Sequence, residues 1–256
     1  MAIDSASIAE AFSEAATRYD DVAAVQRWAA QQLLARMSPV SGRYLDAGCG
    51  TGWLACELAR RGARLLALDL APGMLKAAQR RPGAEAVQWL QGDMRDLPVG
   101  SGQLDGVVSN FALQWLPDPL PFFREVRRVL RPGGRLFATT LLPGTLQEMA
   151  EAWAEADPGG VHVNRFVPHE EVLAALKTAG LSLRHQTACV RTCHFASAAE
   201  AARSIKDVGA HNMNPGRRSS LTGIRRFRRF LEAWEACRTP EGVPQSWHVL
   251  FLEAQA

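Results

Sequence analysis

Apolar positions along this chain follow two rhythms. Over residues 7 to 36, Ile8, Phe12, Ala15, Tyr19, Val22, Val25, Ala29, Leu33 and Leu34 recur at threes and fours, the spacing of one helix face, with a break near Asp20-Asp21. Short apolar runs then alternate with helical patterns: strand 43–47, helix 53–61, strand 64–69, helix 72–80, strand 86–91, strand 104–109, helix 119–130 and strand 135–140. Pro72 suits a first helical turn, Gly62 a helix stop, and Arg131-Pro132-Gly133-Gly134 the end of a helix. This alternation predicts an α/β fold with a parallel, doubly wound sheet and helices on both faces. Beyond Pro143-Gly144 come helical patterns at 145–156, 169–178, 198–208 and 221–238, a turn at Asp157-Pro158-Gly159-Gly160, a strand-like run at 181–195 and a closing strand at 246–253. We read residues 1–256 as one domain: a helical segment (1–40), a sheet-forming core (41–143), added helices with a sixth strand (144–240) and the closing strand (241–256). The additions have the character of a lid or a substrate wall.

Chemistry concentrates where the strands end. After Tyr44-Leu45-Asp46-Ala47 stand Gly48, Gly50 and Gly52 at alternate positions, opening onto a helical pattern at Trp53. Glycine there permits a sharp turn and a close approach of backbone amides to a ligand. A dinucleotide turn needs a further glycine where Trp53 stands, and no Gly-Lys-Ser/Thr follows, so neither a pyrophosphate fingerprint nor a P-loop is complete. In an open α/β sheet, ligands lie beyond the carboxyl ends of the strands. Asp46 closes the first strand and Asp69 the second; Gly92-Asp93-Met94 follows the third and Ser109-Asn110 closes the fourth. A carboxylate at the second position can accept from both hydroxyls of a ribose, and Asp93 can accept from an adenine amino group with Met94 on the ring face. Each acid alone could equally be a helix cap or a solvated loop residue. Together they describe one adenosine pocket.

Composition excludes several alternatives. With 256 residues, 47% of them hydrophobic, the chain can bury a substantial core, and its net charge of +3 does not by itself call for nucleic acid. Cys49, Cys56, Cys189, Cys193 and Cys237 are an odd, scattered set without a C-x-x-C pair, so reduced thiols are expected, with no disulfide framework and no metal site. The opening Met1-Ala2-Ile3-Asp4-Ser5 lacks a signal-peptide pattern and no segment approaches eighteen uncharged apolar residues, from which we expect a soluble cytoplasmic protein without membrane contact.

The series Asp46-Ala47-Gly48-Cys49-Gly50-Thr51-Gly52, Asp69, Gly92-Asp93-Met94 and Arg131-Pro132-Gly133-Gly134-Arg135-Leu136 resembles the motifs of class I S-adenosylmethionine-dependent methyltransferases, over about residues 43–140. The resemblance implies a Rossmann-like seven-stranded sheet with a helical lid. It also implies S-adenosylmethionine as cofactor, with Asp46, Gly48, Cys49, Gly50 and Gly52 along the methionine moiety and Asp69, Leu70 and Met74 around the ribose. Asp93 and Met94 would take the adenine, and Asn110, Phe111 and Ala112 the floor near the sulfonium. Outside this core, residues 12–20 with Val25-Gln26, 109–115, 140–145, 205–212 and Leu221-Thr222-Gly223 resemble the malonyl-acyl carrier protein O-methyltransferases of biotin synthesis. This second resemblance implies that Tyr19 and Gln26 close over the methionine end of the cofactor, although an amphipathic helix packing on the sheet would also account for Gln26.

Methyl transfer from a sulfonium to a carboxylate, which is ionised at neutral pH, requires no general base. What remains for the protein is orientation and the replacement of lost hydration by fixed donors. Tyr19, Lys206, His211 and Asn212 are the candidates for that role. Between residues 203 and 229, Arg203, Lys206, Arg217, Arg218, Arg225, Arg226, Arg228 and Arg229 face a single acid, Asp207. Such a run can be a solvated face, or a dock for an acidic partner such as an acyl carrier protein bearing malonyl, with malonyl-CoA as the free counterpart. The scarcity of aromatics among these residues argues against nucleic acid, and Asn110-Phe111-Ala112-Leu113 stands where an amino-group methylase of bases would carry Asn-Pro-Pro-Tyr. Methylation of another small acid or of a quinone ring carbon, a nucleic-acid methyltransferase and a non-catalytic cofactor module remain the competing expectations.

Overall fold

A computed structural model of the chain describes residues 5–37, 40–207 and 223–256. The N-terminal helical pattern resolves into α1 (Ser5–Ala15), α2 (Tyr19–Val22) and α3 (Ala24–Arg36). The break is wider than the acid pair implied, and those acids have work of their own. Asp20 accepts a hydrogen bond from Thr51 Oγ1 at 2.7 Å and forms ion pairs with Arg81 and, at 3.5 Å, Arg27.

The alternating core follows as β1 (Gly42–Ala47), α4 (Trp53–Arg60), β2 (Ala63–Asp69), α5 (Pro72–Ala78), β3 (Val87–Gln91), β4 (Leu104–Asn110), α6 (Leu120–Val129) and β5 (Leu130–Leu141). The remainder comprises α7 (Gln147–Ala156), α8 (His169–Thr178), β6 (Ser182–Phe195), α9 (Ala198–Asp207), α10 (Ile224–Glu235) and β7 (Val243–Gln255). The seven strands form one sheet in the order β3-β2-β1-β4-β5-β7-β6.

The alternating core pairs in parallel as its rhythm predicts, and the closing strand adds a reversal that the rhythm does not specify. β1 to β5 pair in parallel, while β7 enters between β5 and β6 and runs antiparallel to both. Apolar rhythm reports that a strand is buried and carries no information on its direction. A second difference concerns Arg131-Pro132-Gly133-Gly134, which lies within β5 as an irregular extension. The register jumps from Leu104↔Leu130 to Gly106↔Arg135, and the slack is tied to the C-terminus by Gly133 N–H to Ala256 O and Ala256 N–H to Gly134 O, both at 3.0 Å.

Helices cover both faces. On one side Leu33 of α3, Leu58 of α4 and Phe230 and Trp234 of α10 share a core with Phe251 of β7; on the other, Phe122, Phe123 and Val126 of α6 and Leu176 of α8 pack on Leu136 and Leu252. Fully burying each such side chain contributes roughly 1.5–3 kcal/mol, so the core fixes the strand ends firmly. No helix among the described residues is long and apolar enough to cross a membrane. Strand order reverses between β1 and β4, and a crevice opens there at their carboxyl ends.

Candidate active site

β1 ends in a turn that bends over its neighbour: the Gly48 and Cys49 amides both donate to Leu68 O, at 2.8 and 3.0 Å. Gly48, Gly50 and Gly52 all take left-handed backbone, with φ of +78°, +54° and +77°. Their surroundings separate them. A Cβ on Gly48 would lie 2.4 Å from Ala112 Cβ, and one on Gly52 would lie 2.4 Å from the Trp89 ring, whereas a Cβ on Gly50 would meet nothing within 4 Å. Gly48 and Gly50 border cavities. Gly52 is not among the residues bordering these two cavities: it sits at the N-terminal cap of α4, and its lack of a side chain admits Trp89 and Ala78.

A buried acid, Asp46, and a half-buried one, Asp69, flank the turn. Asp69 accepts from the Gly50 amide at 2.7 Å and the Ala71 amide at 2.8 Å, and burial raises its carboxyl above the usual range although those amides pull it down. Asp46 is 1% exposed and its Oδ2 has no hydrogen-bond partner. Burial first, and Asp69 second, push its carboxyl up to about 8. An unpartnered buried carboxylate oxygen costs about 1–3 kcal/mol or more, so a ligand donor there would be strongly favoured. The position fits a cationic amino group.

Two connected hollows run along the strand ends. The larger, about 110 Å3, is lined by Asp69, Leu70, Met74, Asp93, Met94, Asn110, Phe111 and Ala112, with Ile8 and Phe12 of α1 as its cover. Arg95 hydrogen-bonds to Asp93, holding that carboxyl below its usual range, and donates to Ser5 Oγ at 2.8 Å, so the cover is tied to Asp93. The smaller, about 60 Å3, is bordered by Asp46, Gly48, Cys49, Gly50, Gln26 and Tyr19. A bare-glycine turn, paired acids and an orphaned acceptor fit an adenosyl group ending in an amino acid. Among the described residues no His, Cys, Asp and Glu group is arranged to hold a metal ion.

The floor is strained. Phe111 has φ of +51°, which for a bulky residue costs on the order of 1–3 kcal/mol. Its conformation is held by neighbours: Phe111 N–H donates to Thr139 Oγ1 (3.0 Å), Thr139 Oγ1–H to Asn110 Oδ1 (2.8 Å), Asn110 Nδ2 to Gln26 O (3.1 Å) and Gln114 Nε2 to Phe111 O (2.7 Å).

Beyond Phe111 and Tyr19, which border both spaces, lies a third cavity of about 250 Å3. Its walls are mostly apolar and aromatic, including Trp115, Trp153, Phe166, Phe227, Phe230 and Trp247, with Gln26, Gln114, His162, Asn164 and Lys206 as polar members. No Asp, Glu or Arg is among its described lining residues. Trp153 stacks on His162 (3.9 Å, 10° between planes) and on Phe230 (4.0 Å, 9°), making a three-ring layer from α7, the following loop and α10. His162 Nε2 lies 2.9 Å from Oδ2 of Asp157, which is 5% exposed. Tyr19 has its phenol pushed up by burial, then by Asp69 and Asp20.

Sequence reasoning missed Trp153, His162 and Gln114. Asp157-Pro158-Gly159-Gly160 read only as a turn, yet the glycines let His162 fold back: a Cβ on Gly160 would lie 2.5 Å from His162 Nε2. Of the remaining candidates, Lys206 sits on α9 at the cavity edge, while His211, Asn212, Arg217 and Arg218 lie outside the described residues. Arg225, Arg226, Arg228 and Arg229 are exposed on α10, with Arg226 3.7 Å from Asp157 and Arg228 3.7 Å from Glu232.

Comparison with known proteins places this architecture. A family model described as a methyltransferase domain matches residues 45–138. A malonyl-acyl-carrier-protein O-methyltransferase of Hahella chejuensis is 42% identical over 251 residues, covering 97% of this chain and 89% of the relative. The chain belongs to the malonyl-acyl-carrier-protein O-methyltransferase family. It is a class I methyltransferase that uses S-adenosylmethionine. The biotin biosynthesis bifunctional protein BioHC of Cellvibrio japonicus is 39% identical over 98% of this chain, which spans 50% of that longer relative. The solved S-adenosylmethionine-dependent methyltransferase of Mesorhizobium loti shares the fold at 21% identity, with a TM-score of 0.56 over 92% of this chain and all of that one.

Proposed function

We propose that this chain methylates the free carboxylate of a malonyl thioester presented by an acyl carrier protein, an early step of biotin synthesis. The observation that carries this reading is a cavity without acids among its described lining residues, containing His162 and Lys206 and meeting the acid-lined cofactor space at Tyr19 and Phe111. An anionic acceptor and a cationic donor would thus be assigned to opposite sides of one wall. Family membership and the exposed arginines of α10 support a macromolecular carrier over a free acid.

Bound S-adenosylmethionine supplies a methyl group on a positively charged sulfur that departs as a neutral thioether. In our reading Asp46 meets the methionine amino group, Asp69 the ribose hydroxyls and Asp93 the adenine amino group, with Met94 and Met74 against apolar faces. Asn110, Phe111 and Ala112 form the floor, and Tyr19 and Gln26 close the methionine end. Phe111, held by the Thr139-Asn110-Gln26 chain, and Tyr19 set the line along which a carboxylate oxygen approaches. Orientation of this kind can lower the barrier by roughly 7–11 kcal/mol. The aromatic walls exclude water from the carboxylate, which arrives ionised and keeps no proton to be removed.

The test is incubation with methyl-labelled S-adenosylmethionine and, separately, malonyl-acyl carrier protein, malonyl-CoA or RNA. Base-labile label on the malonyl thioester is expected. Label on RNA alone, or none despite cofactor binding, would overturn the reading.

A further inference from the structure

His162 is the most constrained polar group in the acceptor cavity. One ring nitrogen, Nε2, is fixed at 2.9 Å to the buried Asp157 carboxylate, and the ring plane is pressed against Trp153 at 3.9 Å. The other nitrogen, Nδ1, has no hydrogen-bond partner among the described residues. Gly160 closes against the pair without a side chain, and Arg226 stands 3.7 Å from the opposite oxygen of Asp157. Lys206, the other basic side chain at the cavity, belongs to an exposed residue and carries its charge on a flexible stem. Nothing among the described residues orients it.

Resting on the malonyl reading above, we infer that His162 is the residue that binds the acceptor carboxylate, offering Nδ1–H to one carboxylate oxygen and leaving the other free to attack. Each ring nitrogen then donates to one carboxylate, Nε2–H to Asp157 and Nδ1–H to the acceptor, and Trp153 holds the ring flat between them. Asp157 is then the positioning residue, and Arg226 keeps Asp157 from holding an unbalanced charge when the substrate adds a second carboxylate. The arrangement also discriminates between substrate and product. Once esterified, the acceptor presents a neutral ester oxygen where a carboxylate stood, so the hydrogen bond weakens when the chemistry is complete. His162 exchanges no proton in this scheme.

The test is carboxylate selectivity rather than activity alone. Affinities of malonyl-CoA and butyryl-CoA are measured by calorimetry in the presence of S-adenosylhomocysteine, for the natural chain, His162→Phe and Lys206→Met. His162→Phe keeps a ring against Trp153 and removes the donor. Malonyl-CoA should then bind roughly 10- to 100-fold more weakly, the loss of a hydrogen bond to a charged group, with butyryl-CoA within about two-fold. S-adenosylhomocysteine affinity should be unchanged, and Lys206→Met should retain the preference for malonyl. Should the phenylalanine variant not fold, the same comparison on His162→Leu decides. Selectivity that survives loss of the imidazole, or vanishes only in Lys206→Met, would overturn the assignment to His162 while leaving the malonyl reading intact. A natural chain that does not distinguish the two thioesters would instead overturn that reading.

Discussion

The cofactor side and the acceptor side of this molecule share a wall at Tyr19 and Phe111 but are built on opposite plans. The cofactor side is assembled from strand ends within residues 46–112, and it is rich in acids: Asp46, Asp69 and Asp93. The acceptor side gathers α7, the loop after it, α9, α10 and β7, and its described lining has aromatics and bases but no acid. In the reading proposed above, the first recognises hydroxyls, an amine and a base amino group with fixed acceptors. The second offers apolar surface and a donor. Charge complementarity therefore separates two ligands that must meet at one bond.

The sharpest way to break this contrast is through Asp46. Its folded-state carboxyl is raised from 3.8 to about 8, so its contribution to stability is fully present below the lower value and is lost as pH rises through the higher one. Asp46→Asn, which mimics the protonated group, should remove that decline. The upper limit is about 1.4 kcal/mol per pH unit over that window, read from urea unfolding at several pH values. A natural chain equally stable at pH 5 and pH 8.5 would show that Asp46 is not held in its neutral form.

Asp69→Ala comes next. It deletes the proposed ribose acceptor and frees the Gly50 and Ala71 amides, and cofactor affinity should fall by about 1.5–3 kcal/mol by calorimetry. Unchanged affinity would move ribose recognition elsewhere. The mildest effect is expected on the far side: Arg225→Glu with Arg229→Glu, both exposed and clear of Asp157, should raise KM for malonyl-acyl carrier protein several-fold more than for malonyl-CoA, since exposed charges act mainly on encounter. Equal changes in the two KM values would remove α10 from the carrier-docking surface.

The same contrast explains what could be read from the chain. Asp69 and the Gly48 to Gly52 turn were legible because a strand end fixes both position and direction, so local spacing carries the meaning. Spacing could not separate Gly50, beside open space, from Gly52, whose bareness accommodates Trp89. The antiparallel course of β7 and the slack at the start of β5 were invisible because register is a property of pairs of strands. The layer of His162, Trp153 and Phe230 was hidden for a related reason. Its rings lie far apart in the chain, and the polar member sits in a segment with no periodicity to announce it.

Phe111 bears on how this protein could be altered. A protein engineer seeking thermostability would single out its φ of +51° for replacement by glycine, but the ring is 7% exposed and belongs to the core, so the roughly 1.5–3 kcal/mol of burial lost outweighs the roughly 1 kcal/mol of strain relieved. The same change would open the wall between the two cavities that Phe111 borders. The most conspicuous route to a hardier protein is therefore a false one, and hardening is better sought on the outer surface of α6 or α8, away from the strand ends.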